Sequence, residues 1–266
     1  MERPSWAPEG IDLARPNAAR MYDYALGGSH NFAVDREMVE RVEAMMPGSS
    51  LIAHANRAFL RRAVGYCLDS GIRQFLDIGS GIPTVGSVHE VARPAAPDTR
   101  VVYVDVDPVA VAHSQAILRD YPNATAIGGD VRAPAEILGH PEVAKMIDFS
   151  APVAVLLMAI LHFVPDEDDP AGLVRAFTEP LCPGSALVLS HGTPDERPDD
   201  ADTVRNLYRG TSSPLFLRPR SEVAALFGGF VLVEPGVTWV SAWRPEPEEA
   251  DAGERPEMLA GVGRKP

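Results

Sequence analysis

The sequence predicts an α/β fold with a mostly parallel sheet, helices on both faces and a helical segment before the first strand. From Arg73 onward, short apolar runs alternate with segments of helical patterning; the runs are FLDI, VVYVDV, ATAIGGD, VAVLLMAI and SALVLSH. Strands that alternate with helices indicate βαβ units and therefore a parallel sheet. Such sheets bind ligands beyond the carboxyl ends of their strands, so we expect function at the last residues of each run.

The first 70 residues are predicted to be helical. The stretches ARMYDYALGG, DREMVERVEAMM and HANRAFLRRAVGYCLDSG have helix-like spacing, and the last ends at Gly71. We expect residues 1–70 to cap a core of residues 71–266, the two together forming one structural domain. Tyr22 and Tyr24 either lie in a lid over a ligand or pack on the sheet, with a helix C-cap at Gly27 and Gly28.

The last 70 residues carry weaker signals. Residues 194–219 are polar and proline-bearing, and we expect them to be partly helical around residues 201–208. GGFVLVEPGVTWVSAW predicts one or two late strands, and residues 244–257 predict an acidic, proline-rich loop. The closing MLAGVGRKP is predicted to be either an edge strand or a frayed tail.

Composition argues against several classes of partner. The chain has 266 residues and a formal net charge of −13, with a pI near 4.9. Such a surface repels nucleic acid and anionic lipid, although this does not exclude a local basic pocket. The start MERPSWAPEG is polar, and VAVLLMAIL is shorter than the roughly 20 residues of a membrane span. We expect a cytoplasmic protein with two ordinary thiols, Cys67 and Cys182.

The loop after the first run predicts a specific class of ligand. Asp77 ends the run, and Gly79 and Gly81 let the backbone turn sharply and approach a ligand closely. Pro83 is predicted to begin the next helix, because proline suits a first helical turn. Thr84 stands where a dinucleotide fingerprint has its third glycine, and Asp77 would repel a pyrophosphate. A carboxylate suits an ammonium or sulfonium group instead, and S-adenosylmethionine carries both.

Acidic residues also end the next two runs. Asp105 ends the second run, where a carboxylate can accept hydrogen bonds from both ribose hydroxyls. Asp107, before Pro108, is predicted to cap the following helix. Asp130 follows the third run and could bind an adenine amino group, with Val131 offering its backbone N–H. Each acid alone could be a solvated loop residue, but three at successive strand ends indicate one ligand site.

In this order, FLDIGSG, VVYVDVDP, GGDV, VLLMAILHFVPD and LCPGSALVLSH resemble the class I S-adenosylmethionine-dependent methyltransferases, from about Arg73 to Leu232. The resemblance implies their Rossmann-like fold with a mostly parallel seven-stranded sheet, and S-adenosylmethionine as cofactor. RPNAARMYDYALGGSHNFAVDRE and GVGRKP resemble more specifically an actinobacterial methyltransferase-like family of unassigned substrate. One departure is that the fourth run begins PVAV, without the acid often found there.

The resemblance also implies a set of cofactor-binding positions, from the methionine end to the adenine end: Asp77, Gly79, Ser80 and Gly81, then Asp105 and Val106, then Asp130 and Val131. Met158 and Ala159, at the exit of the fourth strand, would form the floor near the methyl group. In the N-terminal segment, Tyr22 or Tyr24 would lie near the methionine end. The methionine carboxylate would pair with Arg20 or Arg57, unless both are only surface charges.

His162 is the predicted catalytic residue. A sulfonium methyl is already reactive, so a base is needed only if the nucleophile starts protonated. His162 follows the fourth run, and His191 ends the fifth. Either could be the base, or could only shape the pocket.

The predicted function is methyl transfer to a small molecule, and no residues have metal-ligand spacing. PDEDDP lacks the glycine and terminal glutamate of an EF-hand and is expected to be a solvated helix start. A non-catalytic protein that binds S-adenosylmethionine or S-adenosylhomocysteine is the alternative, and an NAD-dependent oxidoreductase is a weaker one. The sequence does not indicate the oligomeric state.

Overall fold

The computed structural model describes residues 11–84, 86–195, 198–247 and 258–266. Within them the α-helices are α1 (Ala18–Ala25), α2 (Ala33–Met45), α3 (Ser50–Asp69), α4 (Val88–Ala92), α5 (Pro108–Ile117), α6 (Pro134–Leu138), α7 (Pro141–Met146), α8 (Pro170–Thr178), α9 (Pro198–Tyr208) and α10 (Arg220–Ala225). The strands are β1 (Gln74–Ile78), β2 (Arg100–Asp105), β3 (Ala124–Gly128), β4 (Ala154–Met158), β5 (Ala186–Gly192), β6 (Val231–Leu232), β7 (Thr238–Trp239) and β8 (Met258–Arg264).

All the strands that the structure describes belong to one sheet, in the order β3-β2-β1-β4-β5-β8-β6, with β7 pairing to β8 beside β6. Strands β1 to β5 pair in parallel, and β8 runs antiparallel to β5. From β1 the chain moves outward through β2 to β3, and then returns to β4 on the other side of β1. The winding therefore reverses between β1 and β4, which is where open α/β sheets bind ligands.

Helices cover both faces of the sheet, as predicted, and β1 shows how the sequence assigns the faces. Leu76 and Ile78 belong to the apolar cluster that includes residues of α6, α7 and α8. Phe75 belongs to the cluster on the opposite face, with residues of α3 and α4. Because side chains alternate along a strand, Asp77 lies on the same face as Phe75. This places the Asp77 carboxyl group on the side of the sheet that α3 covers.

The predicted N-terminal helices are present as α1, α2 and α3, and α1 packs against the other two. Asp35 holds the beginnings of α1 and α2 together, since its carboxylate accepts the backbone N–H groups of Asn17 and Phe32, each at 2.9 Å. Arg20 lies between Asp35 and Asp107, with Nε at 3.3 and 3.6 Å from their Oδ2 atoms. Asp107 caps α5, as predicted. Buried charges are stable only when they are paired, so this group fastens α1 and α2 to the core.

The loop after β1 differs from the prediction. We expected the next helix to begin near Pro83, but α4 begins at Val88, after the cap residue Ser87. Pro83 lies buried in a loop without regular structure. A proline suits a first helical turn, but it also suits an extended loop, and the turn from Thr84 to Ser87 delays the helix.

The C-terminal strand also differs from the prediction of an edge strand or a tail. β8 lies inside the sheet, with β5 on one side and β6 and β7 on the other. The late strands and the helix near residues 201–208 are present as β6, β7 and α9. Most of the predicted acidic loop, residues 248–257, lies outside the described residues. No helix in the described part of the chain is long and apolar enough to cross a membrane.

Candidate active site

A cavity of about 520 Å³ lies at the carboxyl edge of the sheet, within the size range of small-molecule sites. Its lining comes from α1, α2 and α3, from the loops that follow β1, β2, β3 and β4, and from α9 with the loop after it. Of the predicted site residues, those that line it are Tyr22, Arg57, Asp77, Gly79, Ser80, Gly81, Asp105, Val106, Asp130, Val131, Met158, Ala159 and His162.

The glycine loop lies tightly against the neighbouring strand ends. The backbone N–H groups of Gly79 and Ser80 donate to the Val104 carbonyl, at 2.8 and 3.0 Å. Gly79 has a φ of +70°, and a Cβ there would lie 2.5 Å from Cγ1 of Ile160. Only glycine satisfies both constraints at residue 79, so Gly79 allows the ends of β1 and β4 to lie side by side.

Asp77 is buried at the base of the cavity with an unsatisfied oxygen. Asp77 is only 5% exposed, and its Oδ1 has no hydrogen-bond partner among the described residues. Burial raises the pKa of this carboxyl group to about 7, although the nearby Arg57 lowers it and Asp105 raises it further. A buried polar atom without a partner is costly, so Oδ1 fits a ligand donor.

Helix α3 contributes two polar side chains to the cavity lining, Asn56 and Arg57. The sequence predicts a ligand role for Arg57 but not for Asn56. Asn56 donates to the Tyr22 hydroxyl at 3.1 Å, which leaves its buried Oδ1 without a partner among the described residues. The Arg57 guanidinium lies 5.6 Å from the centre of the Tyr22 ring, and its Nε likewise lacks a hydrogen-bond partner there. The Tyr22 hydroxyl donates to the Ala53 carbonyl at 3.1 Å, which fixes α1 over α3.

Asp105 organises the loops around the middle of the cavity. Its Oδ2 accepts the Gly81 N–H at 2.8 Å, and its Oδ1 accepts the Asp107 N–H at 2.9 Å. Burial raises the pKa of this carboxyl group to about 6, and these backbone donors oppose the shift. The next residue, Val106, is 62% exposed and lines the cavity, so a large apolar side chain is available to a ligand.

Asp130 is already paired in this structure. Arg132 donates to both carboxylate oxygens, with Nε 2.9 Å from Oδ1 and Nη2 2.5 Å from Oδ2. This hydrogen-bonded pair lowers the pKa of Asp130. Val131 lies between the two residues in sequence and is buried at the cavity wall. A ligand amino group near Asp130 would therefore share the carboxylate with Arg132.

The exit of β4 has an unusual backbone conformation. Ala159 has a φ of +52°, a region that residues with a side chain rarely adopt. Its N–H donates to the Ser190 side chain at 2.9 Å, which holds the turn in place. Strained backbone of this kind clusters at functional sites, and here Ala159, Ile160 and His162 line the cavity.

The two candidate catalytic histidines lie in different surroundings. His162 lines the cavity, and its Nδ1 accepts the Gly192 N–H at 3.1 Å. His191 is fully buried outside the cavity lining; its Nδ1 lies 2.7 Å from the Gly192 carbonyl and its Nε2 3.1 Å from Arg218. Burial lowers the pKa of both, that of His191 to about 4. The prediction that His191 is an alternative base therefore does not fit the structure.

Two predicted ligand residues do not reach the cavity. Arg20 is buried in the group with Asp35 and Asp107, so its charge is already neutralised. Tyr24 directs its hydroxyl to Glu40, at 3.1 Å. The spacing of two tyrosines at i and i+2 places them on different sides of a helix, so only Tyr22 faces the cavity. The helix end at Gly27, which has a φ of +80°, confirms the predicted cap.

We call the cavity lining that residues 158–217 contribute the acceptor wall. Sequence reasoning missed most of it, including Phe163, Tyr208 and Phe216. The rings of Phe163 and Tyr208 stack with centroids 6.2 Å apart. Arg218 supports this wall from behind, because its guanidinium donates to the carbonyls of Leu161 and Val164 at 3.0 and 2.8 Å. The aromatic residues carried no positional signal, since only the folded chain brings α9 to the exit of β4.

Metal chemistry receives no support from the described residues, since no group of three or more His, Cys, Asp or Glu side chains among them could hold an ion. The acidic residues 166–169 form a short turn, and Asp169 caps α8, as expected of a solvated helix start.

The sequence model of one protein family, described as S-adenosyl methyltransferase, matches residues 4–266. A solved structure of a DUF574 family protein from Streptomyces avermitilis MA-4680 shares 41% sequence identity, with a TM-score of 0.92 over 96% of this chain and 99% of that one. A Thermobifida fusca YX structure described as a candidate methyltransferase shares 38% identity, with a TM-score of 0.92 over 98% of this chain and 99% of its own. Comparison with curated proteins gave no match.

A more distant structure shows the fold alone. The pyocyanin biosynthetic protein PhzM shares 17% identity, with a TM-score of 0.50, and the match covers 83% of this chain and 59% of that one.

Proposed function

The chain belongs to the S-adenosyl methyltransferase family, and we propose that it transfers a methyl group from S-adenosylmethionine to a small molecule held against the acceptor wall. Family and fold make it an S-adenosylmethionine-dependent methyltransferase with a Rossmann-like sheet. The roles of individual residues and the nature of the acceptor are the proposed part.

Three buried polar atoms support the proposed cofactor site. Asp77 Oδ1 and Asn56 Oδ1 are acceptors without partners, and Arg57 Nε is a donor without one, among the described residues. The methionine end of the cofactor carries an ammonium group, which needs acceptors, and a carboxylate, which needs a cation. Asp77 and Asn56 would therefore bind the ammonium group and Arg57 the carboxylate. This match of donors to acceptors is the observation that carries the proposal.

The adenosine part fits the next two strand ends. Asp105 is held by two backbone donors, and each of its oxygens keeps a lone pair for a ribose hydroxyl. Val106 and Val131 would contact the adenine ring. The adenine amino group would donate to the Asp130 carboxylate, which it would share with Arg132. Ser80 and the glycines would line the chain between ribose and methionine.

When bound, S-adenosylmethionine supplies a methyl group on a sulfonium, which is reactive without further activation. The residues of this chain then have to hold the acceptor in line and exclude water. Met158 and Ala159 would form the floor of the reaction site, and Tyr22 would cover it from α1. Holding two reactants at attack distance supplies a large share of the rate in such reactions.

The small volume of the cavity, about 520 Å³, and an acidic surface favour a small acceptor over a nucleic acid. The net charge of −13 opposes binding of a phosphate backbone. Cytoplasmic location and the division into a cap of residues 1–70 and a core of residues 71–266 stay predictions from the sequence.

Isothermal titration with S-adenosylmethionine, S-adenosylhomocysteine, decarboxylated S-adenosylmethionine and NAD tests the cofactor site. We expect the sulfur ligands to bind and NAD not to bind. Arg57→Ala should weaken S-adenosylmethionine roughly 10- to 100-fold by removing a charged hydrogen-bond partner, and should leave the decarboxylated ligand almost unaffected.

Asp98→Asn, an exposed substitution outside the cavity lining, is the matched control and should bind like the wild type. Binding of NAD, or equal losses for both sulfonium ligands in Arg57→Ala, would contradict the proposed site.

A further inference from the structure

The two ring nitrogens of His162 differ in a way that decides what this side chain can do. Because Nδ1 accepts the Gly192 N–H, the neutral ring carries its proton on Nε2. Nε2 has no hydrogen-bond partner among the described residues, and His162 lines the cavity. The side chain therefore presents an N–H donor to a methyl acceptor bound in the cavity. Its only lone pair is already used, so it is not placed to remove a proton.

The surroundings of His162 also keep the ring neutral. Burial lowers its pKa well below the usual value, and the interactions with His191 and with the Arg218 guanidinium lower it further. The His162 and His191 rings have centroids 5.6 Å apart, and Arg218 donates to Nε2 of His191. A proton taken from an acceptor would have to rest beside this buried guanidinium.

No other side chain of the acceptor wall replaces the missing base, among the residues that the structure describes. The cavity's charged residues are Arg57, Asp77, Asp105, Asp130 and Arg132, and none belongs to the acceptor wall. Tyr208 is the only other titratable group there, and burial raises its pKa to about 12. It too stays protonated and offers an O–H donor. The remaining surface is largely apolar, with Phe163, Val204 and Leu215 among its residues.

Building on the proposed function, we propose that the methyl acceptor is an apolar acid whose attacking oxygen is already ionised in water, a carboxylate or an acidic phenol or enol. Its hydrocarbon body would lie against the acceptor wall, and His162 Nε2–H would hold the oxygen as a donor. His162 is then a substrate-binding residue and not a general base, which revises the role that the sequence predicts.

The reaction balances without a base. A lone pair of the ionised oxygen forms the new oxygen–carbon bond to the methyl group, the carbon–sulfur bond breaks, and its electron pair stays on sulfur. An anion and a sulfonium become a neutral ester or ether and a neutral thioether, so no proton moves. An alcohol, or an amine that is protonated at neutral pH, would first have to lose a proton, and the acceptor wall has no described group to receive it.

The charge of a buried arginine behind the acceptor wall favours the same class of acceptor. Arg218 is only 5% exposed, and its guanidinium lies behind the two histidines. Its carboxylate partner, Asp166, has a side chain 86% exposed, where solvent weakens its field. The Arg218 charge acts on the His162 ring, since it lowers the pKa of that ring, and it favours an anion over an ammonium group beside His162.

A matched set of probes tests this: 3-phenylpropanoate, 3-phenylpropan-1-ol and 3-phenylpropylamine share one apolar body and differ in the attacking group. Their binding to the protein saturated with S-adenosylhomocysteine is measured by titration calorimetry. We expect the carboxylate to bind at least 10-fold more tightly than the amine, and more tightly than the alcohol. A second probe, 4-nitrophenol, absorbs visible light only when ionised, and its pKa should fall when it binds.

Variants of His162 distinguish a hydrogen-bond donor from a general base. His162→Gln keeps an N–H donor and cannot accept a proton, so it should retain most of the preference for the carboxylate. His162→Ala should reduce carboxylate binding roughly 10-fold and leave the alcohol less affected. Tyr208→Phe, which removes one hydroxyl and keeps the ring, should weaken the carboxylate several-fold.

The outcomes also distinguish this inference from the proposed function. If S-adenosylhomocysteine does not bind, the proposed function itself is wrong. If it binds but the carboxylate is not preferred over the amine, or no probe binds, the acceptor class is wrong. Equal losses in His162→Gln and His162→Ala would overturn the donor role. Retained S-adenosylhomocysteine binding in each variant shows that it is folded.

Discussion

At the scale of single residues, Asp77 connects ligand binding to pH. Its pKa is raised to about 7, mainly by burial, so the folded protein retains a proton that the unfolded chain loses near pH 4. Between these values the free energy of unfolding of the ligand-free protein falls as the pH rises. The ionised form that binds an ammonium group is thus the form that destabilises the empty protein.

We predict that Asp77→Asn stabilises the ligand-free protein at pH 8 by on the order of 2 kcal/mol, several degrees in Tm, because no buried carboxyl group has to ionise. The gain should shrink as the pH falls to 5. At pH 8 the same variant should bind S-adenosylmethionine at least 10-fold more weakly. Thermal melts and calorimetry at both pH values measure this.

Asp98→Asn is the control for the removal of one exposed charge and should change neither quantity. A lower Tm at pH 8 in Asp77→Asn would show that the ionised carboxylate stabilises the empty site instead.

The residues at the strand ends could be predicted because their position in the sequence determines their position in the sheet. A carboxylate that directly follows a buried strand has to lie at the sheet edge, so Asp77, Asp105 and Asp130 could be placed without a structure. Asn56 could not, because its role depends on how α3 packs over β1. The sequence also predicts that Arg20 pairs with the ligand, but in the fold Asp35 and Asp107 surround it. These partners are distant in sequence, so they become visible only when the chain is folded.

At the scale of elements, β8 shows that a local sequence pattern does not determine which strands become neighbours in the sheet. Its sequence fits either an edge strand or a tail, whereas in the fold it pairs with β5, more than 60 residues earlier in the chain. Two glycines decide how closely the turn after α10 approaches it. A Cβ at Gly263 would lie 2.8 Å from Phe230 Cβ, and one at Gly261 would lie 3.0 Å from Phe227 Cζ. Pro83 shows the same limit, since its ring suits both a helix start and the loop that it occupies.

Gly263→Ala is expected to destabilise the protein by about 1–3 kcal/mol, because the added methyl group meets the backbone-near Cβ of Phe230 and cannot be avoided by a side-chain rotation. Gly65→Ala is the matched change in open space, inside α3, and should stabilise by about 0.5–1 kcal/mol. Chemical denaturation of both variants measures the free energy of unfolding. Equal effects of the two substitutions would mean that β8 is not packed as described.

At the scale of the whole molecule, the cavity joins parts of the chain that are distant in sequence. Its lining runs from Asn17 to Met258, so the N-terminal helices, the glycine loop, α9 and the last strand meet at one volume. The sequence predicts the sheet edge of this volume well, because each β-α unit carries its own signal. The opposite side depends on α1, α2 and α9, whose positions result from packing across the whole fold.

A ligand in this cavity should therefore stabilise elements on both sides of it. We predict that saturating S-adenosylhomocysteine slows amide hydrogen exchange in the glycine loop and also in α1, through Tyr22, Asn56 and Arg57. At about 100 times Kd the ligand should add roughly 2.7 kcal/mol to the free energy of unfolding.

Helix α7 does not line the cavity and is the internal control, which should change only as far as global unfolding limits its exchange. Protection confined to residues 79–87 and 105–107, with α1 unchanged, would show that the N-terminal helices are not part of the cofactor site. Protection that includes α1 would make the cap a part of the catalytic unit, since the atoms that bind the methionine end would then be ordered by the ligand that they hold.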